Sequence, residues 1–182
     1  MSHHPHSPTI ALVAPTVDRA MALAIAGLRI GFGLIYLTDG LAKLTGFGGI
    51  HPFPGFLITG SGARGIIIHN VQTHPVHLYR DFILQTVVPN WGLFGTLVTA
   101  GELFVGICLV LGILSPLAAL LGAGMALHIN FSDWGNNSWM WEEAVEWIPL
   151  VALAFLHPGH YWGLDGRLAT RLPESLRRWP FA

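Results

Sequence analysis

Residues 20–43 read AMALAIAGLRIGFGLIYLTDGLAK, an apolar run broken only by Arg29, Asp39 and Lys43 among ionisable side chains. A helix rises about 1.5 Å per residue, so about 20 such residues cross about 30 Å of hydrocarbon. The run is therefore read as a membrane-spanning helix, and three more stretches match it. They are Trp91 to Leu114, Pro116 to about Asp133, and about Trp141 to Leu156. The last is the shortest and draws on flanking aromatics. The expected fold is an all-α membrane protein, a four-transmembrane-helix bundle. Its spans occupy residues 20–158, between a disordered tail (1–19) and a basic tail (159–182).

Composition agrees with that reading. Of 182 residues, 52% are hydrophobic and only 10% charged, and mean hydropathy is +0.55. Soluble domains carry about 25% charged residues, so this chain lacks the polar coat that water requires. A net charge of −1 with scattered basic residues gives no purchase on nucleic acid. A single cysteine, Cys108, excludes an internal disulfide framework and any multi-cysteine metal or iron–sulfur site. Among Ile, Leu and Val it reads as a small apolar residue. The first 19 residues lack a basic n-region, and Pro interrupts their apolar run, so no cleavable signal is expected.

Leu114-Ser115-Pro116 alone separates the second and third runs. Pro suits the first turn of a helix, where its missing N–H costs nothing, so a tight helical hairpin is expected there. The loop 132–140 and the start of the fourth run carry Trp134, Trp139, Trp141 and Trp147, a candidate aromatic belt. The long connection 44–90 is rich in Gly, Pro and His. Within it PVHLYRDFILQTVV (75–88) has helical apolar spacing and is read as a short helix on the membrane surface. Arg167, Arg171, Arg177 and Arg178 follow the last run, while the loop between the third and fourth has no basic residue. By the positive-inside rule both termini are expected in the cytoplasm of a bacterial cell, with the chain in its inner membrane.

Ionisable residues within spans cost about 2.5–3.5 kcal/mol at mid-helix and mark function by default. On the first helix Arg29, Tyr36, Asp39 and Lys43 share one stripe, and Asp39 and Lys43 stand at i,i+4. On the second, Glu102 lies near mid-span on a face with Gly95, Thr99 and Gly106. An Arg29–Glu102 ion pair is the expected means of keeping both charges in lipid. It has two readings: a pin that fixes helix register, or a group that titrates or grips a ligand. A third cluster comprises His128, Asn130 and Asp133 with Glu142, Glu143 and Glu146. The carboxylates suit a helix N-terminus. His128, Glu146 and Asp39 also read as a pocket that hydrogen-bonds and exchanges protons with a quinone headgroup. His69, His74 and His77 follow H-x4-H-x2-H, but without a fourth ligand they are assigned to loop solvation rather than to metal. No haem site is evident either.

Three segments resemble the DoxX/DoxD family of small bacterial membrane proteins: LRIGFGLIYLTDGLAKL (28–44), GELFVGICLVLGILSPLAALLGA (101–123) and HPGHYWGLDGRLA (157–169). PNWGLF (89–94) and the Trp-rich start of the fourth helix are more similar to the DoxD side. The family's helix-one arginine, helix-two acid and closing G-x-x-x-G-L-D fall here on Arg29, Glu102 and Gly159–Asp165. The resemblance implies the membrane, quinone-facing subunit of a thiosulfate:quinone oxidoreductase, working with a second polypeptide and an exchangeable quinone. Joined with the polar residues read above, it gives an expected site with Glu102, His128 and Glu146 as proton-exchanging groups and Arg29, Tyr36, Asp39, Lys43, Asn130 and Glu142 around the quinone. The competing expectation is a non-catalytic structural or assembly subunit of a larger respiratory or photosynthetic complex.

Overall fold

Asp18 starts the first helix. Its Oδ1 accepts the Met21 amide at 2.8 Å, and α1 (Arg19–Thr45) then runs to Gly46, whose left-handed φ of 73° ends it. The computed structural model describes residues 18–46, 57–136, 141, 144–168, 171 and 173, and all its regular structure is helical. α2 (Gly60–Val71) and α3 (His77–Phe82) follow, α3 continuing through a π-helical turn, Ile83–Val87. Next come α4 (Trp91–Leu111), α5 (Ser115–Ser132) and α6 (Ala144–Phe155), then a 3₁₀ turn, Pro158–His160, and the short α7 (Asp165–Leu168).

α1 and α4 are long and apolar enough to cross a membrane. Their 27 and 21 residues make rods of about 40 and 31 Å. Only 28% and 22% of their most apolar stretches are buried, so each presents an apolar flank outward, unlike the core helix of a soluble protein. α5 has 18 residues, and His128, Asn130 and its terminal serines dilute its hydropathy. α6 has 12, with Pro149 inside it.

The expected hairpin of α4 and α5 is present. Gly112 turns left-handed at φ 66°, Leu114 at φ 49°, and Pro116 sits in the first turn of α5. The connection 44–90 holds more structure than the sequence promised. The helix expected at 75–88 is α3 with its π turn, but α2 has no counterpart in the sequence reading. Gly60, Gly62 and Gly65 disguise it, although Thr59 caps it by accepting the Gly62 amide at 3.2 Å. Ile67 and Val71 of α2 bury against Ile83 and Val87, with Trp91 and Phe94 of α4 alongside. The main core joins α1, α4, α5 and α6 through Tyr36, Val105, Leu109, Ala119, Leu150 and Leu153.

Glycines set the distance between α1 and α4. A Cβ on Gly33 would lie 2.8 Å from the Val110 backbone nitrogen, and one on Gly40 3.0 Å from that of Leu103. On Gly106 it would lie 2.5 Å from the Leu37 nitrogen. Backbones this close are the packing mode of helices in lipid, where small residues replace the hydrophobic drive. Gly106→Ala should therefore destabilise the detergent-solubilised protein by about 1–3 kcal/mol, read as a lower melting temperature. Gly31→Ala, where nothing lies within 4 Å, should leave it unchanged.

Candidate functional site

The glycine contacts fix an antiparallel register in which residues 33, 37 and 40 of α1 lie beside 110, 106 and 103 of α4. Extending that register brings Lys43 to Glu102, and their Nζ and Oε1 are 2.8 Å apart. Arg29 stands fourteen residues earlier on α1, about 21 Å along the axis, and passes the far end of α4 at Gly112. The expected Arg29–Glu102 pair is therefore replaced by Lys43–Glu102. Lys43 also bonds across to α4 rather than closing an i,i+4 pair with Asp39, which remains an electrostatic neighbour. The lysine side chain is 4% exposed and the glutamate 12%, so the pair is buried in helix walls otherwise made of Leu, Val and Gly.

Around this pair the structure gathers most of the expected α1 stripe. Tyr36 is buried and gives its hydroxyl proton to the Gly122 carbonyl of α5 at 2.7 Å. The charges of Glu146, Glu102 and Asp39 all act on that hydroxyl. Tyr36, Asp39, Lys43, Glu102 and Glu146 thus form one electrostatic cluster drawn from three helices. Asp39 Oδ1 faces the Ile58 amide at 3.5 Å. Glu146 is exposed at the start of α6. Glu102 Oε2 and Trp147 Nε1 are buried without a hydrogen-bond partner. Such groups are costly unless something completes them.

His128 belongs to a second cluster. Its Nε2 is 3.0 Å from the Tyr79 hydroxyl, which burial pushes up to about 12, so the phenol keeps its proton and can give it to the ring. Tyr79, Phe131 and Trp134 surround the His74 ring. His74 Nδ1 accepts the Val76 amide at 3.2 Å and Nε2 meets the Phe131 carbonyl at 2.9 Å, so both ring nitrogens are spent on backbone. His69 and His77 are exposed. Asn70 donates to Ser132 at 3.1 Å, tying α2 to the end of α5. Asn130 lies half-buried nearby, and Glu142 and Glu143 lie outside the described residues.

The sequence did not disclose how Asp165 is used. Its carboxylate, 2% exposed, accepts the Leu114 amide at 2.7 Å, the Ser115 amide at 3.0 Å and the Ser115 hydroxyl at 2.5 Å. It caps α5 from a distant segment, because Leu114 at the N-cap position has no side chain able to do so. Leu164 and Asp165 further donate to the Leu111 and Gly112 carbonyls. Arg29 lies under this strap, 1% exposed, between Gly112 and Gly163. Its Nη2 faces the Trp162 carbonyl at 3.4 Å, and the charge of Asp165 acts on it. Arg29 accordingly serves the end of the bundle remote from Glu102.

No protein-family model, curated protein or solved structure gives a significant match to the chain.

Removing one member of a buried pair strands the other, at a cost of about 3–5 kcal/mol, whereas replacing both by apolar residues is near neutral. Lys43→Met and Glu102→Leu should each lower the melting temperature more than the double variant does. Additive losses in thermal unfolding would show that the two side chains do not bond.

Proposed function

We propose that the chain is a four-span membrane bundle of the DoxX/DoxD type, the membrane subunit of a quinone-linked oxidoreductase. The outward apolar flanks of α1 and α4 support a lipid setting. In that setting α5 and α6 complete the bundle, with α3 on the outer surface and both termini in the cytoplasm of a bacterial inner membrane. The buried Lys43–Glu102 pair, with Glu102 Oε2 unpartnered beside Tyr36, Asp39 and Glu146, carries the reading.

The chemistry suits such a cluster. Quinone reduction takes two electrons and two protons, and a quinone offers two carbonyl oxygens. The Lys43 ammonium can donate a hydrogen bond to one oxygen while remaining paired to Glu102. Glu146, at the exposed rim, is placed to pass protons inward toward Tyr36 and Glu102. Lys43, not Arg29, is the cation paired with Glu102. The electrons come from outside this chain. Two thiosulfates joined through a new S–S bond as tetrathionate release two, and a second polypeptide would hold that donor. His128 is read as a support for the outer aromatic layer, through Tyr79.

A second reading rests on one observation. Ala24, Gly27, Leu28, Gly31, Phe32 and Ile35 form an apolar hollow on the outer flank of α1. That flank suits lateral packing in a larger respiratory or photosynthetic assembly, where the chain would be structural.

Thiosulfate-dependent quinone reduction by the chain purified with its partner separates the two. Glu146→Gln keeps the size of the side chain and much of its hydrogen-bonding capacity, so the melting temperature should change little. Loss of a proton-transferring group should lower turnover about 100-fold or more. Unchanged turnover would contradict the catalytic reading and favour the structural one.

A further inference from the structure

The corner between α2 and α3 is fastened to the end of α5 by side chains that the Lys43 site does not use. Asn70 donates to Ser132 at 3.1 Å, Asn136 donates to the Asn70 carbonyl at 3.2 Å, and Thr73 meets Asn136. At the centre of this corner His74 is 1% exposed, and its partners fix its proton state. Nδ1 accepts the Val76 amide at 3.2 Å, so that nitrogen carries no proton. Nε2 faces the Phe131 carbonyl at 2.9 Å, so that nitrogen carries one. The ring is therefore neutral, and neither bond can reverse, because an amide N–H only donates and a carbonyl only accepts. Val76 is the N-cap residue of α3, which has no side-chain cap, so His74 is what ties the start of that helix to α5. His128 is different. Its partner Tyr79 is a hydroxyl, which can donate to a neutral ring or accept from a protonated one.

We propose that His74 is a pH-operated latch: a proton on Nδ1 releases the Val76 amide, and the α2–α3 corner lifts from the end of α5. A second proton on the ring has no other place to go, and there it points at the Val76 N–H. No carboxylate stands ready to compensate the new charge among the described residues of the corner. Asp81 is paired with Arg80 at 3.1 Å, and Asp133 accepts from Asn136 at 2.8 Å. The remaining titratable groups are Tyr79, His69, His77 and His128, and the rings around His74 are Tyr79, Phe131 and Trp134. A freed histidine takes its proton near about 6.5. The released form binds one proton more than the latched form, so the latch is fully held above that value and weakens as pH falls below it. α2 connects the corner to the Lys43 end. It starts at Gly60, whose carbonyl takes the Trp91 indole at 3.2 Å, and Ile58 just before it faces Asp39. In the topology proposed above the corner lies on the outer side, so it reads the pH there. The latch needs neither quinone nor partner and stands apart from the oxidoreductase reading.

Amide hydrogen exchange of the full chain in lipid nanodiscs, corrected for the intrinsic effect of pH, tests the latch at about pH 8 and about pH 5. Peptides covering residues 75–82 should lose protection at least about tenfold at the lower pH, while those of α4 change less than about twofold. His74→Asn offers an acceptor near the Nδ1 position and does not titrate. Its protection over 75–82 should be the same at both pH values. Equal protection of the wild type at the two pH values would overturn the proposal. So would an acid-induced loss in His74→Asn as large as that of the wild type, which would assign the effect to another group. If His74→Asn is already loosened at about pH 8, nitrogen NMR of the wild-type imidazoles decides. Protonation of His74 Nδ1 over the same pH range as the loss of protection supports the latch, and either change without the other contradicts it.

Discussion

Backbone contact between α1 and α4 fixes the geometry on which the polar interior depends. Gly33, Gly40 and Gly106 let the two helices approach so closely that a methyl group at any of them would meet main chain or packed side chains. In water the hydrophobic effect would reward larger residues at such an interface. In lipid, the setting proposed for this chain, close van der Waals packing supplies the attraction, so glycine is favoured. The consequence is a register that cannot slide by one turn without collision. That register delivers Lys43, the one lysine of the chain, to Glu102.

The two ends of the bundle solve different problems. At the Lys43 end, charges from α1, α4 and α6 converge around a buried ion pair. At the other end, charge is used for closure. Asp165 returns from beyond α6 to satisfy the amides that α5 cannot cap for itself, and Arg29 fills the space beneath the strap. Both ends bury formal charge, and both leave buried polar atoms without a hydrogen-bond partner, Glu102 Oε2 at the first and Arg29 Nε and Nη1 at the second. Function is assigned to the first because ionisable side chains from three helices converge there, and architecture to the second because the Asp165 carboxylate is spent on the backbone and Ser115 at the start of α5.

The positions of α1, α4, α5 and α6 were legible in the sequence as apolar runs, but of the four expected spans only α1 and α4 are long and apolar enough to cross a membrane among the described residues. The Leu114–Pro116 turn was equally plain. The polar stripe of α1 was also visible from helical spacing, and Tyr36, Asp39 and Lys43 do meet Glu102. The Arg29–Glu102 pairing was not a sound inference from depth alone. It assumed that the two helices align at their centres, whereas the glycine contacts stagger them. α2 was hidden by its glycines, with the Thr59 cap as the missed signal. The role of Asp165 had a signal too: a helix starting after Leu114 has no capping side chain, so an acceptor had to come from elsewhere. Nothing in spacing alone could show that it would come from residue 165.

The stagger of α1 against α4 is the central claim, and cysteine cross-linking in native membranes tests it most directly. In a Cys108→Ala background, cysteines replacing Lys43 and Glu102, whose side chains meet at 2.8 Å, should be joined readily by a short bifunctional thiol reagent. Cysteines replacing Arg29 and Glu102, with Arg29 about 21 Å from Lys43 along the axis, should not. Cross-linking of the second pair in place of the first would restore the register that joins Arg29 to Glu102, and would contradict the site described above.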